Sequence, residues 1–124
     1  MRKIILLFIL MFVVGLGGCM NSVDYKSITQ EEAKEIMDTT DGYIIIDVRT
    51  IEEFNTGHIP NAINIPNEVI SEQAESILLN KEQVILVYCR SGRRSKEAAN
   101  KLAELGYSNI LEFGGILDWK YDIE

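Results

Sequence analysis

The sequence predicts an α/β domain: a central parallel sheet with helices on both faces. Two runs, "YIIIDV" at 43–48 and "EQVILVYC" at 82–89, are short, apolar and rich in β-branched residues, the pattern of strands buried on both sides. Segments with helical spacing alternate with these strand candidates, as a parallel sheet requires. The length of 124 residues, 47% hydrophobic and 25% charged, suits one globular domain. Neither internal repeats nor low-complexity tracts interrupt it.

The chain opens with "MRKIILLFILMFVVGLGG": basic Arg2 and Lys3, an apolar run over 4–14, then small residues. This is the pattern of a secretory leader, too short for a membrane span. The stretch "LGGC" at 16–19 resembles the lipobox of bacterial lipoproteins, where the leader is cut before a cysteine that receives lipid. The expected organisation is therefore a signal peptide at 1–18, a tether at 19–27 lipidated on Cys19, and a domain at 28–124. Acyl chains such as palmitate, contributing about 0.8 kcal/mol per buried methylene, would hold it on the extracytoplasmic side of a bacterial cell membrane. An uncleaved anchor helix with an incidental Cys19 is the alternative, and it puts the domain on the same side.

Within the domain, Thr29 followed by Glu32 is a capping box, predicting a helix over 30–38. "TTDG" is a turn before the strand at 43–48. "RTIEEFNTG" predicts a loop and short helical turn closed by Gly57, and "HIPNAINIP" a short strand between two prolines. Residues 68–79 are expected to be helical, with Val69, Ala74, Ile77 and Leu78 as the apolar face. The second buried strand ends at Cys89. From about Arg93, Ala98, Ala99, Leu102, Ala103 and Leu105 recur at helical spacing up to a stop at Gly106. "YSNILEF" is a third strand, followed by "GG" and a last helical stretch, "ILDWKYDIE".

The formal charge is −7, and becomes −9 once the leader takes Arg2 and Lys3 with it. Such a surface excludes nucleic acid and anionic headgroups as partners. Against that field, Arg90, Arg93, Arg94 and Lys96 crowd around Cys89, the only cysteine besides Cys19. One free cysteine and one histidine cannot supply a tetrahedral metal site, so no metal is expected. With Cys19 lipidated no intramolecular disulfide can form, and a leftover thiol in an exported protein points to reactivity or intermolecular pairing.

Cys89 closes a buried strand, and the next residues run into a helix N-terminus. Ligands of parallel sheets bind at this end of the strands. Unpaired first-turn N–H groups, the helix dipole and adjacent cations all favour a thiolate there. Guanidinium forks suit oxyanions, and Gly92 lets loop N–H groups turn inward as an anion nest. The bland alternative is a buried, inert cysteine beside solvated arginines. That alternative must place several cations at a helix N-terminus, where positive charge is normally unfavourable.

At these residues the chain resembles a single-domain rhodanese, the thiosulfate sulfurtransferase family. "DVRTIEEFNTGHIPNAINIP", "YCRSGRRSKEAANKLAELGY" and "NILEFGGILDW" are similar to its three motifs in order, across most of 25–121. One departure is Asn61, where the family often has glycine. The resemblance implies that Cys89 takes a sulfane sulfur from thiosulfate or a similar donor, and that the persulfide passes it to cyanide or a thiol. Ping-pong kinetics would follow, with no cofactor. It further implies that the backbone of Arg90, Ser91, Gly92, Arg93 and Arg94 cradles the persulfide, with Arg93 and Arg94 ahead of Arg90 for the donor's sulfonate. Asp47 and Arg49 would brace the loop, as a structural ion pair of Arg49 with Glu52 or Glu53 or, alternatively, with either residue catalytic. His58, the only histidine, invites a general-base assignment, but the family pattern places it in a turn rather than beside the nucleophile; Phe113 and Trp119 belong to core or pocket wall.

Two other functions compete. A cysteine-dependent phosphatase or arsenate reductase usually needs Arg six positions after its Cys, where this chain has Ser95. A persulfide carrier or binding module without rapid turnover would need the same Cys89 and cradle as an enzyme.

Overall fold

A computed structural model describes residues 24–124. The leader, the lipobox and Cys19 lie outside the described residues. Among those described, no helix is long and apolar enough to cross a membrane.

Among the described residues five parallel strands form one sheet: β1 (Lys26–Ser27), β2 (Tyr43–Asp47), β3 (Ile63–Asn64), β4 (Val84–Cys89) and β5 (Ile110–Gly115), in the order β1-β5-β4-β2-β3. Four α-helices connect them: α1 (Gln30–Thr39), α2 (Ile51–Thr56), α3 (Ile70–Ile77) and α4 (Arg93–Glu104). Capping boxes start two of these, Thr29 with Glu32 in α1 and Thr50 with Glu53 in α2. Each satisfies two backbone N–H groups that the first turn leaves open.

Strand alternation sends side chains to two cores. Ile46, Val48, Ile85 and Val87 meet Ile70, Ala74 and Leu78 of the α3 segment and Ala98, Ala99 and Leu102 of α4. On the other face, Ile45, Leu86, Tyr88 and Phe113 meet Ala33, Ile36 and Met37 of α1, with Phe54 of α2. Helices thus cover both faces, as expected from the unbroken apolar strands.

Local details differ from the sequence reading. Residues 67–69 form a 3-10 turn, so α3 begins at Ile70 and its buried stripe is Ile70, Ala74 and Leu78; Ile77, expected inside, is 44% exposed. Lys26 and Ser27, expected in the tether, pair with Leu111 and Glu112 as the edge strand β1. Strand β5 continues through the glycine pair to Gly115, and the closing helical stretch is one 3-10 turn at Ile116–Asp118. Asn61 has φ 71°, a left-handed backbone that glycine adopts freely and Asn tolerates better than most residues.

The topology locates the site. From β2 the chain moves outward to β3, whereas from β4 it moves the opposite way to β5, so the order reverses between β2 and β4. A crevice opens at the carboxyl ends of strands at such a point. Asp47 ends β2 and Cys89 ends β4.

Candidate active site

Cys89 is 1% exposed, and its Sγ accepts a hydrogen bond from the Gly92 N–H at 2.9 Å. The contact requires the chain to double back within three residues. Gly92 permits this with φ 118°, a conformation side chains resist. Gly92 is also the N-cap of α4 and offers no side chain to cap it, and no acidic residue occupies the first turn. First-turn N–H groups are therefore left for the sulfur or for an anion bound to it.

A second glycine admits the loop to the sheet. Cys89 pairs in register with Gly115, and a Cβ on Gly115 would lie 2.0 Å from the Arg90 carbonyl oxygen. That oxygen accepts the Leu117 N–H at 3.2 Å. The glycine pair after β5 thus receives the loop backbone.

The arginines are not equivalent. Arg94 binds Glu53 through two contacts, Nη1 to Oε1 at 2.8 Å and Nη2 to Oε2 at 3.1 Å. Arg94 chiefly, together with the Thr50 backbone N–H, holds the Glu53 carboxyl down at about 2 against the opposing effect of burial. In return Glu53 keeps Arg94 charged, and the field of Cys89 adds to this. Arg93 is 76% exposed along its side chain and contacts Glu97 at 3.0 Å. Arg90 and Ser91 are exposed, and Arg90 makes no ion pair among the described residues.

Asp47 and Arg49 form the brace, with a different partner from the one expected. Arg49 pairs with Asp47, not with Glu52 or Glu53: Nε lies 3.0 Å from both carboxylate oxygens and Nη2 2.6 Å from Oδ2. Their separation by two residues brings both side chains to the same side. Arg49 also donates to the Gly57 carbonyl at 2.7 Å. Tyr88 donates to Asp47 Oδ2 at 2.7 Å and accepts the Ile59 N–H; burial first, and the Asp47 carboxylate next, push its phenol up. The pair therefore supports the residue directly before Cys89.

His58 stacks on Phe54, centroids 3.8 Å apart, with Nδ1 3.1 Å from the Phe54 carbonyl, in the turn where it was expected. Phe113 is core, and Trp119 packs against it.

Sequence reasoning missed one part of the site. Ser95 Oγ is 3.4 Å from Cys89 Sγ and donates to Glu112 Oε2 at 2.6 Å. Ser95 is fully buried, and Glu112 only 2% exposed. A carboxylate inside a covered parallel strand was the available signal, because such residues are rarely buried without a purpose. An open groove of about 740 Å³ borders the loop at Ser91 and Gly92, with Lys96, Glu112, Leu117 and Trp119 among its walls.

Comparison with known proteins follows the same residues. A family model described as the rhodanese-like domain matches residues 29–122. A sulfurtransferase of Allochromatium vinosum is 36% identical over 100 residues, covering 80% of this chain and 87% of that protein. A thiosulfate sulfurtransferase of Escherichia coli is 37% identical over 73 residues, 59% of this chain and 70% of that one. The crystal structure of a rhodanese-like domain protein from Staphylococcus aureus superposes with a TM-score of 0.70 at 34% identity, over 80% of this chain and 96% of that one. Other relatives are longer, and the chain spans 53% and 23% of two of them.

Proposed function

The chain belongs to the rhodanese-like domain family, and from that premise we propose that it is a thiosulfate sulfurtransferase working through a persulfide on Cys89. The observation that carries this reading is the 2.9 Å hydrogen bond from Gly92 N–H to Cys89 Sγ, at a helix N-terminus that no side chain caps. Such a site stabilises an anionic sulfur before and after it has gained a second sulfur atom.

In the first half-reaction the Cys89 thiolate attacks the outer sulfur of thiosulfate. The Sγ–S bond forms, the S–S bond of thiosulfate breaks, and sulfite leaves with the electron pair. In the second, cyanide or a thiolate attacks the terminal sulfur, the Sγ–S bond breaks, and the Cys89 thiolate returns. Covalent relay of this kind gives ping-pong kinetics. A Ser95 hydroxyl stands where phosphatase-type loops carry arginine, which weighs against phosphoryl transfer.

The reading is tested by intact mass of the protein and of Cys89→Ser after thiosulfate. A gain of one sulfur, removed by cyanide and absent from the variant, is expected; a readily alkylated thiol that gains nothing overturns it. Slow release to cyanide from a persulfide that does form would identify a carrier.

The location is part of the same proposal and rests on the leader-like pattern of the sequence. The reading is that residues 1–18 are removed, that Cys19 is lipidated, and that the domain stands on the extracytoplasmic side of a bacterial membrane. Labelled palmitate should enter the wild-type chain and not Cys19→Ser, and equal labelling of both would overturn the anchor.

A further inference from the structure

Glu112 is the anomaly of the site. It is 2% exposed, yet no cation pairs with it among the described residues. Its hydrogen-bond partners are neutral donors: Ser27 Oγ to Oε1 at 2.8 Å, Gly114 N–H to Oε2 at 2.8 Å, and Ser95 Oγ to Oε2 at 2.6 Å. A buried carboxylate that only stabilised the fold would need a counter-charge, or would be better replaced by an apolar residue. Ser95 Oγ also lies 2.9 Å from the Gly92 carbonyl oxygen and 3.4 Å from that of Gly114, and it meets the Cys89 thiol at 3.4 Å.

We infer that Glu112 is the proton acceptor for Cys89, reached through the Ser95 hydroxyl, so that the buried site holds one negative charge and not two. This rests on Cys89 being the nucleophile proposed above. In one arrangement Cys89 S–H donates to Ser95 Oγ, whose single hydrogen goes to the ionised Glu112. In the other the S–H proton has moved to Ser95 Oγ and the Ser95 proton to Oε2. The products are a thiolate, an intact hydroxyl and a neutral carboxyl, which now donates back along the same chain.

Charge balances at −1 on both sides, and no outside base is required. The thiolate then accepts hydrogen bonds from Gly92 N–H and Ser95 Oγ. Persulfide formation leaves the anion in place on the outer sulfur, so Glu112 stays neutral until the sulfur has left and the proton returns. Ser95 is the group in contact with the reacting atom; Glu112 acts through it as a positioning and proton-holding residue. The charged residues that share the groove with Glu112 are Glu31, Lys96, Asp118 and Lys120, and Arg94 is a cation coupled to Cys89 through space. None of them hydrogen-bonds to the carboxylate.

The test follows thiolate absorbance in the ultraviolet and the carbonyl stretch of a protonated carboxyl in the infrared, on the same full-length samples from pH 5 to 9. Thiolate and a protonated-carboxyl band present together in equal amount at the same pH, with the band lost in both Glu112→Gln and Cys89→Ser, are expected. Thiolate without the band, a band indifferent to Cys89→Ser, or no thiolate before the fold is lost would each overturn the proposal. Should Glu112→Gln fail to fold, the wild type and Cys89→Ser still decide. Ser95→Ala should slow alkylation of Cys89 about a hundredfold or more, the usual share of a positioned proton-transfer group, and an unchanged rate overturns the relay. Neither readout depends on thiosulfate, so failure of sulfur transfer would be seen separately.

Discussion

Arg94 closes on Glu53 with two parallel contacts of 2.8 and 3.1 Å, joining the first turn of the helix after the nucleophile to the first turn of the helix after β2. The guanidinium expected to grip a donor is thus already engaged, by a carboxylate that also caps its own helix. Holding Glu53 at about 2 in the fold, against 4.5 without its partners, makes the folded state the weaker proton binder between those values. Stability from this group is present above about pH 4.5 and is lost as pH falls towards 2. Because both side chains keep some solvent contact, about 1–2 kcal/mol is expected. Urea unfolding at pH 6 and pH 3 should show that loss in the wild type and a smaller one in Glu53→Gln.

Arg93 offers the contrast. Its pairing with Glu97 is one helical turn long and solvent-exposed, and such pairs contribute about 0.3–0.5 kcal/mol. Arg93→Ala should leave thermal stability almost unchanged. A large rise in KM for thiosulfate with kcat preserved would show that its free end meets the donor; no change in KM would leave Arg90 as the exposed, unpaired cation of the loop.

The Asp47–Arg49 pair should behave differently from either. Asp47 is fully buried and Arg49 5% exposed, so removing the carboxylate strands a guanidinium that solvent scarcely reaches. Breaking a buried pair in this way costs about 3–5 kcal/mol. Asp47→Ala should therefore lower the urea midpoint far more than any loop variant, and Tyr88 loses its hydrogen-bond acceptor at the same time. A loss below about 1 kcal/mol, the value of an exposed pair, would show that the brace is not what holds the β4 end.

How legible each part was follows from the range of the interactions. Strands β2 and β4 were readable because a doubly covered parallel strand is apolar at nearly every position, and Cys89 because charge and helix start are adjacent to it in sequence. Strand β1 left no such pattern: Lys26 and Ser27 are both exposed, and only pairing with β5 makes them a strand. The 3-10 turn before α3 shifted the helical phase by a residue or so, enough to turn Ile77 outward. Ser95 and Glu112 are 17 positions apart, and their contact exists only once α4 has packed on β5. Arg49 was given the wrong partner because glutamates follow it in sequence, while the side chain turns back to the residue two before it.

Gly115 carries the sharpest geometric expectation. Its φ of −135° is ordinary extended backbone, so nothing conformational demands glycine. What demands it is the loop: a methyl group would meet the Arg90 carbonyl oxygen at 2.0 Å, its carbon at 2.3 Å and the Ser91 nitrogen at 2.5 Å. All three are main-chain atoms next to Cys89, so neither rotation nor a flexible side-chain end can relieve the clash. Gly115→Ala must either push the loop off the sheet or pull β5 away from β4, where it is paired with Cys89 itself. Overpacking of this kind costs about 1–3 kcal/mol or more. The first response breaks the Gly92 contact to Sγ and abolishes persulfide formation, with a modest change in melting temperature; the second lowers both together. Persulfide yield and melting temperature measured on one preparation should show one of these patterns, and a variant unchanged in both would mean that the close approach of loop and strand is not the arrangement in solution.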